Sequence, residues 1–513
     1  MKKLSRLTKV SLLLAAFFGI DKILGVARQM IIARQFGLSA ELDVFNAANN
    51  LPDMLFMLIS GGALAIAFIP ILSEVLTQKG REKSWALFSN ILNIALIVTA
   101  ILAIIVAILA RPLITNELGI APGFTAAQTD ATVRLLRLNL ISTLIFSLSG
   151  LVMAGLQANQ HFLLPALAPI LYDLGQILGA IFLAPTEGCQ IGGITLPAFG
   201  LGVDGLVYGV IIGAGLHLLI QLPGLIKYHF KWSPKIDLHD PETRKVFRMM
   251  APRLISMFCV QMIFLAQDNF ASRLEIGSVT ALTYGWWIMQ VPQTLLGTSI
   301  ATAILPTLSE LFSSERFDEL KEKIERAGQV MLALTIPVAV IAGIVLYPVI
   351  QVFLGLDAVD TARVVDVSRI FLIGIIGHSV VELFVRSFYA LQKPKFPLIG
   401  AVATLIVFIV LGLVLSPALQ AQGIAAANTL AYSLQAVLLL VVLNPHLASK
   451  LNLSKSFLRG ILGALVGGGV AFAVLTWAPR VSGTLIGAVL GVGLGLLVAA
   501  FFIRRDLVAL RQL

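Results

Sequence analysis

Four charged side chains lie within one long apolar stretch near the start of the chain, and their types suit anion recognition. Residues 11–36 read SLLLAAFFGIDKILGVARQMIIARQF and contain Asp21, Lys22, Arg28 and Arg34. On an α-helix at about 100° per residue, Asp21 and Arg28 fall on nearly the same face, about two turns apart. Gly25 lies between them and has no side chain to block an approaching group. A guanidinium fork matches phosphate oxygens, so this face is a candidate site for a phosphate-bearing ligand.

Two interpretations of this stretch stay open from the sequence. A charge near the centre of a bilayer costs about 2.5–3.5 kcal/mol, so several charges on one span predict a water-filled cavity or an ion-pair network. Alternatively, Arg34 snorkels to one interface while Asp21 and Lys22 neutralise each other. Arg253 follows Pro252, where a disrupted helix could expose it to the same cavity. We take Lys22, Arg28 and Arg253 as candidate contacts of an anionic substrate.

The composition places the chain among membrane proteins. Of its 513 residues 58% are hydrophobic and 12% are charged, and the mean hydropathy is +0.94. Soluble domains carry about 25% charged residues. The net charge of +10 is explained by basic cytoplasmic loops, so no nucleic-acid partner is expected. Cys189 and Cys259 are far apart and form no metal or redox motif.

A membrane span needs about 20 apolar residues, and the sequence predicts fourteen of them. We place these helices near 10–36, 51–77, 84–110, 131–157, 163–184, 201–226, 244–268, 277–308, 325–349, 364–392, 395–417, 422–443, 457–478 and 483–503. Lys and Arg concentrate before the first helix, in every second loop and after the last helix. The alternation predicts that both termini are cytoplasmic, and the uninterrupted continuation past Asp21 predicts a retained first helix rather than a signal peptide.

An internal repeat divides most of the chain into two halves. FIPILSE at 68–74 returns as ILPTLSE at 304–310, and AGLQ at 154–157 returns as YALQ at 389–392. The shared offset predicts two parallel six-helix repeats around a central cavity, the plan of an alternating-access transporter. The predicted lobes are 1–230 and 231–445, with two glycine-rich helices appended in 446–513. Those glycines would permit close helix packing or contact with a lipid chain.

Enzymatic chemistry finds little support. The chain has no P-loop, no H-E-x-x-H motif, no nucleophile elbow and no aspartate-rich loop to hold a metal on a diphosphate. We therefore expect neither an enzyme nor a cofactor or metal site. Glu382 and Arg386 are four residues apart in the orientation of a helix ion pair, for which we favour a structural role over a place in a site.

The sequence resembles the MurJ (MviN) family of lipid II flippases over essentially its whole length. The residues that carry the resemblance are Leu24-Gly25-Val26-Ala27-Arg28, Ala33-Arg34-Gln35-Phe36-Gly37, Asp43-Val44-Phe45, Leu51-Pro52-Asp53, Ala67-Phe68-Ile69-Pro70, Leu305-Pro306 and Phe388-Tyr389-Ala390-Leu391-Gln392. The resemblance implies a monomer in the bacterial cytoplasmic membrane that moves an undecaprenyl-pyrophosphate-linked saccharide outward. It also implies that Arg28 contacts the pyrophosphate, that Asp43 matches an acidic residue near the outer end of the first helix, and that helices thirteen and fourteen hold the lipid tail.

The chain departs from the family pattern at four places. Asp21-Lys22 stands where the family usually has Ser-Arg, and Phe56 and Trp287 stand where it usually has cavity arginines. The segment after Phe388-Tyr389 reads Lys393-Pro394-Lys395, without the family's usual Asp-Thr. Lipid II is the leading substrate. An exporter of another polyprenyl-linked saccharide, a drug/cation antiporter of the same superfamily, a membrane enzyme acting on prenyl phosphates and a scaffold are the alternatives.

Overall fold

A computed structural model of the protein describes residues 6–61, 63–188, 190–191, 194–477 and 484–510. The described chain is helical apart from two short antiparallel strands, β1 (Gln190–Ile191) and β2 (Ile194–Thr195). The helices up to residue 273 are α1 (Arg6–Phe36), α2 (Ala40–Phe56), α3 (Ala63–Ile108), α4 (Ala110–Thr115), α5 (Ala126–Ala158), α6 (Leu163–Leu178), α7 (Val203–Leu219), α8 (Leu222–Lys227) and α9 (Pro241–Ala271). Those that follow are α10 (Ser278–Gln293), α11 (Ser299–Ser313), α12 (Phe317–Leu354), α13 (Ala358–Ala390), α14 (Lys395–Leu443), α15 (Ser454–Trp477), α16 (Thr484–Phe502) and α17 (Arg504–Leu510).

The predicted membrane helices are present. Within the described residues, eleven helices are long and apolar enough to cross a membrane. Two of them contain a residue with non-helical backbone angles, Gly80 in α3 (φ 82°) and Gln420 in α14 (φ 53°), so each supplies two spans. With α1, the described helices provide about fourteen spans, and the predicted all-α polytopic membrane fold is confirmed.

The second span begins earlier than the sequence predicted. We expected it from residue 51, whereas α2 begins at Ala40 behind Ser39, whose hydroxyl accepts the Leu42 N–H at 3.2 Å. Glu41 and Asp43 in the first turn complement the positive end of the helix dipole. The polar residues of this turn lowered the local hydropathy and hid the helix. A π-helical turn, Met57–Gly61, then leads toward α3.

Both halves of the chain repeat the same local irregularities. The π-helical turn after α2 has a counterpart at Thr294–Thr298 after α10. The helices α5 and α13 are each followed, two residues after their last residue, by a glutamine with positive φ, Gln160 and Gln392. In both cases the next N–H bonds back five residues, to Leu156 at 2.9 Å and to Phe388 at 2.8 Å. These matched helix ends support the repeat inferred from sequence.

Contacts divide the chain into two units, Met1–Arg273 and Leu274–Leu513. In the first unit, α9 is held near its start by Lys245–Glu74 and Glu242–Lys79 ion pairs of 2.7 and 2.8 Å. The hydrogen bond to Glu74 raises the pKa of Lys245. Near its end, the Asn269 amide donates to two backbone carbonyls of the α4–α5 connection. Helix α9 therefore groups with the first unit, while the predicted lobe boundary at 230/231, drawn from the repeat, stays a prediction.

Each unit has its own apolar core. In the first, rings of Phe68, Trp85 and Phe88 pack between α3 and α5. In the second, α11, α12 and α13 bury a larger cluster, and α15 and α16 pack against α12. A Cβ on Gly467 would lie 2.5 Å from the Gly495 carbonyl oxygen. The glycines of the appended pair therefore serve close helix packing, as one of the two sequence interpretations expected.

Helices α6 and α7 approach each other through glycine. A Cβ on Gly213 would lie 2.5 Å from the Tyr172 carbonyl oxygen, and one on Gly175 would lie 2.3 Å from Gly213 Cα. A Cβ on Gly215, two residues along α7, would meet nothing within 4 Å. The close approach fixes the position of the α6 turn that carries Tyr172 and Asp173.

We expect Gly213→Val to lower the thermal midpoint of the detergent-solubilised protein clearly, because the side chain forces two helix backbones apart and overpacking costs about 1–3 kcal/mol or more. Gly215→Val is the matched control and should stay near the wild-type midpoint. Fluorescence-detected size-exclusion after heating measures both. Equal midpoints for the two variants would show that the α6–α7 contact does not depend on glycine.

Candidate functional site

The charged face of α1 meets an acidic residue of α6. Arg28 Nη1 donates to Asp173 Oδ1 at 2.7 Å, across 145 residues of sequence. The two side chains are 19% and 8% exposed. A pair this deeply placed lies in a medium where charges interact strongly, and removal of either partner leaves an uncompensated charge.

Gly25 provides the space for this pair. It lies one turn before Arg28 on α1, and a Cβ built there would be 3.5 Å from Asp173 Oδ2. A larger side chain at this position would cover the carboxylate. The sequence predicted an open approach at Gly25, and the group that approaches is Asp173.

Asp21 and Lys22 pair with each other. Lys22 Nζ lies 3.4 Å from Asp21 Oδ2, and the side chains are 80% exposed for the lysine and 18% for the aspartate. Asp21 shares the face of Arg28, as predicted, but the arginine bonds to Asp173. Both Asp21 and Lys22 lie within Coulombic range of the Asp173 carboxylate. One interpretation from the sequence, mutual neutralisation of Asp21 and Lys22, therefore describes part of a larger charge cluster.

Two further groups face Arg28. Asp53 of α2 and Tyr172 of α6 lie within Coulombic range of its guanidinium. Beside them, Phe56 contacts Phe146 with ring centroids 5.1 Å apart, and Phe146 meets Tyr172 edge-on at 4.9 Å. The position where the family pattern places a second arginine thus contributes to an aromatic row.

Two candidate residues are not joined to this cluster. Asp43 is 3% exposed and lies in the first turn of α2, within Coulombic range of Asp268, which accepts the Asn50 amide at 2.5 Å. Arg28 lies eight residues before the end of α1, about 12 Å along the helix, whereas Asp43 lies beyond that end in the next helix. The backbone of Arg253 belongs to α9, but its side chain lies outside the described part of the structure.

Several other charged side chains within the predicted spans are paired as well. Glu382 and Arg386 are joined at 3.0 Å, and Arg386 also donates to Thr302, which agrees with the structural role expected from their spacing. Arg134 binds Asp204 through two bonds of 2.9 and 2.8 Å. Within the described residues no group of three His, Cys, Asp or Glu side chains could hold a metal ion.

A well-formed cavity lies elsewhere in the first unit. It has a volume of about 420 Å³ and is lined by apolar side chains of the π-helical turn, α3 and α9, among them Leu58, Ile94 and Phe258. A charged headgroup would find no partner there, since an unpaired buried charge is strongly disfavoured. The chemistry of the charge cluster therefore decides where we place the candidate site.

The sequence named Asp173 as an intramembrane acid but did not pair it with Arg28. Helical periodicity relates residues within one helix and cannot tell which of several helices lies opposite. The only signal was the presence of an isolated acid and an isolated base in two different apolar spans.

Comparison with known proteins places the chain in a family. A family model described as "Lipid II flippase MurJ" matches residues 32–491. The chain belongs to the MurJ family. The resemblance drawn from its motifs is therefore confirmed, and so are the membrane location in many spans and the transporter class.

Its sequence identity to individual MurJ proteins is moderate, and the aligned regions cover most of the chain. The lipid II flippase MurJ of Burkholderia cenocepacia is 27% identical over 440 residues, which cover 84% of this chain and 83% of that protein. The probable lipid II flippase MurJ of Rhizobium tropici is 27% identical over 500 residues, 94% of this chain and 91% of that protein.

Solved structures share the fold. A lipid II flippase MurJ in an inward closed conformation matches with a TM-score of 0.76 at 22% identity, covering 97% of this chain and 100% of that one. An inward-facing multidrug resistance MATE family transporter of the MOP superfamily matches with a TM-score of 0.65 at 14% identity, over 87% and 94% of the two chains. The range of the MurJ family model begins at residue 32, after Arg28, so the site residues of α1 stay predictions.

The ion pair predicts a strong energetic coupling. We expect Arg28→Ala and Asp173→Ala each to destabilise the protein by about 3–5 kcal/mol, because each leaves a buried charge unpaired. The double variant should lose much less than the sum of the two. Thermal midpoints in detergent measure the cycle, with Arg111→Ala and Asp130→Ala as the matched exposed pair, whose coupling should be about 0–1 kcal/mol. Additive losses at Arg28 and Asp173 would mean that the two side chains do not interact.

Proposed function

We propose that this protein flips lipid II, the undecaprenyl-pyrophosphate-linked peptidoglycan precursor, from the inner to the outer leaflet by alternating access. The observation that carries the proposal is the match of residues 32–491 to the MurJ family model. The named relatives cover most of the chain and support the same activity. No ATP-binding motif occurs in the sequence, so an ion gradient, the membrane potential or removal of product drives the cycle.

In this proposal Arg28 contacts the substrate pyrophosphate. A guanidinium carries five N–H donors, and Asp173 takes only Nη1 in the described contacts. The remaining donors and the partial exposure of Arg28 leave it able to donate to a phosphate oxygen. Gly25 keeps the approach open, and Lys22 adds positive charge nearby. Arg253 and Asp43 stay candidates on sequence grounds.

One observation favours a second candidate, a drug/cation antiporter. The cluster around Arg28 holds two cations, Lys22 and Arg28, against three carboxylates, Asp21, Asp53 and Asp173. A site with that balance could also take a cation, and a MATE transporter shares the fold. An exporter of another polyprenyl-linked saccharide would use the same pyrophosphate contact as lipid II.

The flippase proposal is tested in proteoliposomes that contain lipid II in one leaflet. Wild-type protein should move lipid II faster than it moves other undecaprenyl-linked saccharides or organic cations. Arg28→Ala should abolish transport, Arg28→Lys should retain part of it because the charge remains without the fork, and Arg111→Ala should transport normally. Transport of a cation with no transport of lipid II would favour the antiporter. In cells, depletion of the protein should cause lipid II to accumulate.

We also propose that the protein is a monomer of the bacterial cytoplasmic membrane. Its distribution of Lys and Arg favours an orientation with both termini in the cytoplasm. In a chain whose two native cysteines are replaced, Leu118→Cys should react with a membrane-impermeant maleimide in intact spheroplasts. Asp318→Cys should react only after permeabilisation. Both positions are exposed, Leu118 in the connection between α4 and α5 and Asp318 in the first turn of α12. The opposite labelling pattern would invert the proposed orientation.

A further inference from the structure

The carboxylate of Asp173 is bonded to Arg28, the cation that we assign to the substrate pyrophosphate. We propose that Asp173 is a resident counter-anion: it holds Arg28 while the site is empty, yields it to a substrate phosphate, and reclaims it as the substrate leaves. The inference rests on the proposed function. It makes Asp173 a positioning residue that acts through Arg28.

A counter-anion is required because arginine stays protonated in proteins. Arg28 lies within a helix that is apolar on both sides of it, where an unpaired charge is unfavourable. Asp173 supplies the opposite charge from a neighbouring helix at 2.7 Å. Asp173 therefore compensates the charge of Arg28 from within the protein.

The geometry suits exchange rather than a permanent lock. In the described contacts one bond joins Nη1 to Oδ1, whereas Arg459 and Asp506 elsewhere in the chain are joined by two. A two-bond pair is held in a fixed orientation, and a one-bond pair needs only one bond to break. The second oxygen of Asp173 faces Gly25, where no side chain restrains it.

The displaced carboxylate has another cationic neighbour. Lys22 lies within Coulombic range of Asp173, and its side chain is 80% exposed. When phosphate takes Arg28, the attraction of Lys22 offsets part of the repulsion between the two anions. The same proximity favours return of the carboxylate to Arg28 once the phosphate departs. This assigns a role to the Asp21-Lys22 pair, which holds the lysine on this side of α1.

Competition predicts opposite effects on affinity and on turnover. Asp173→Asn keeps the size of the side chain and removes its charge, so phosphate no longer competes with a carboxylate. We expect lipid II to bind about tenfold more tightly to this variant, since a hydrogen bond between charged groups is removed from the empty state. Release should slow, and the flipping rate should fall by a similar factor.

The test compares full-length wild type, Asp173→Asn and the control Asp130→Asn, an exposed aspartate paired with Arg111. Lipid II in detergent micelles is the probe for binding, and lipid II in proteoliposomes is the probe for flipping. The control should match wild type in both. If Asp173→Asn does not fold, Asp173→Ser removes the same charge with a smaller side chain and should shift both quantities in the same directions.

A purely structural role would lower affinity and rate together, and that result would overturn the inference. Unchanged affinity with unchanged flipping would overturn it as well. A wild-type protein that neither binds nor flips lipid II would instead reject the proposed function, which the first arm of the experiment detects independently of any variant.

Discussion

Arg28 keeps its charge, and an anion beside it lowers the cost of placing that charge within an apolar span. Asp173 is that anion in the described structure, at 2.7 Å and largely shielded from solvent. Because a charge pair in a low dielectric is strong and either half alone is costly, the pair fixes α1 against α6. The candidate site and the contact between α1 and α6 therefore both depend on this interaction, and in the proposed function a substrate anion acts on it.

Glycine lets the surrounding helices hold this pair in place. Gly25 admits the carboxylate, and Gly213 lets α7 lie directly on the α6 turn that precedes Asp173. A side chain at Gly213 would force α7 away from α6, and a Cβ at Gly25 would come into contact with the Asp173 carboxylate. The α6–α7 contact thus helps to position Asp173, although neither glycine carries charge.

The sequence predicted those features that depend on the residues of a single helix. Composition and Lys/Arg alternation predicted the spans, and the single apolar helix α1 exposed Arg28 as the residue to explain. Local periodicity could not supply Asp173, which is 145 residues away, and hydropathy missed the start of α2 because Glu41 and Asp43 lower it. The sequence could not predict which helices face each other. It also could not predict where polar residues belong to a helix.

The departures from the family pattern become understandable together. A site with several arginines can add a phosphate without giving up an internal partner, because positive charge remains in excess. Here Phe56 belongs to an aromatic row, and the described cluster already has more carboxylates than cations. In the proposed exchange, an anion enters this cluster as Asp173 releases Arg28. Exchange of partners on Arg28 thus takes the role that an excess of positive charge has in a site with several arginines.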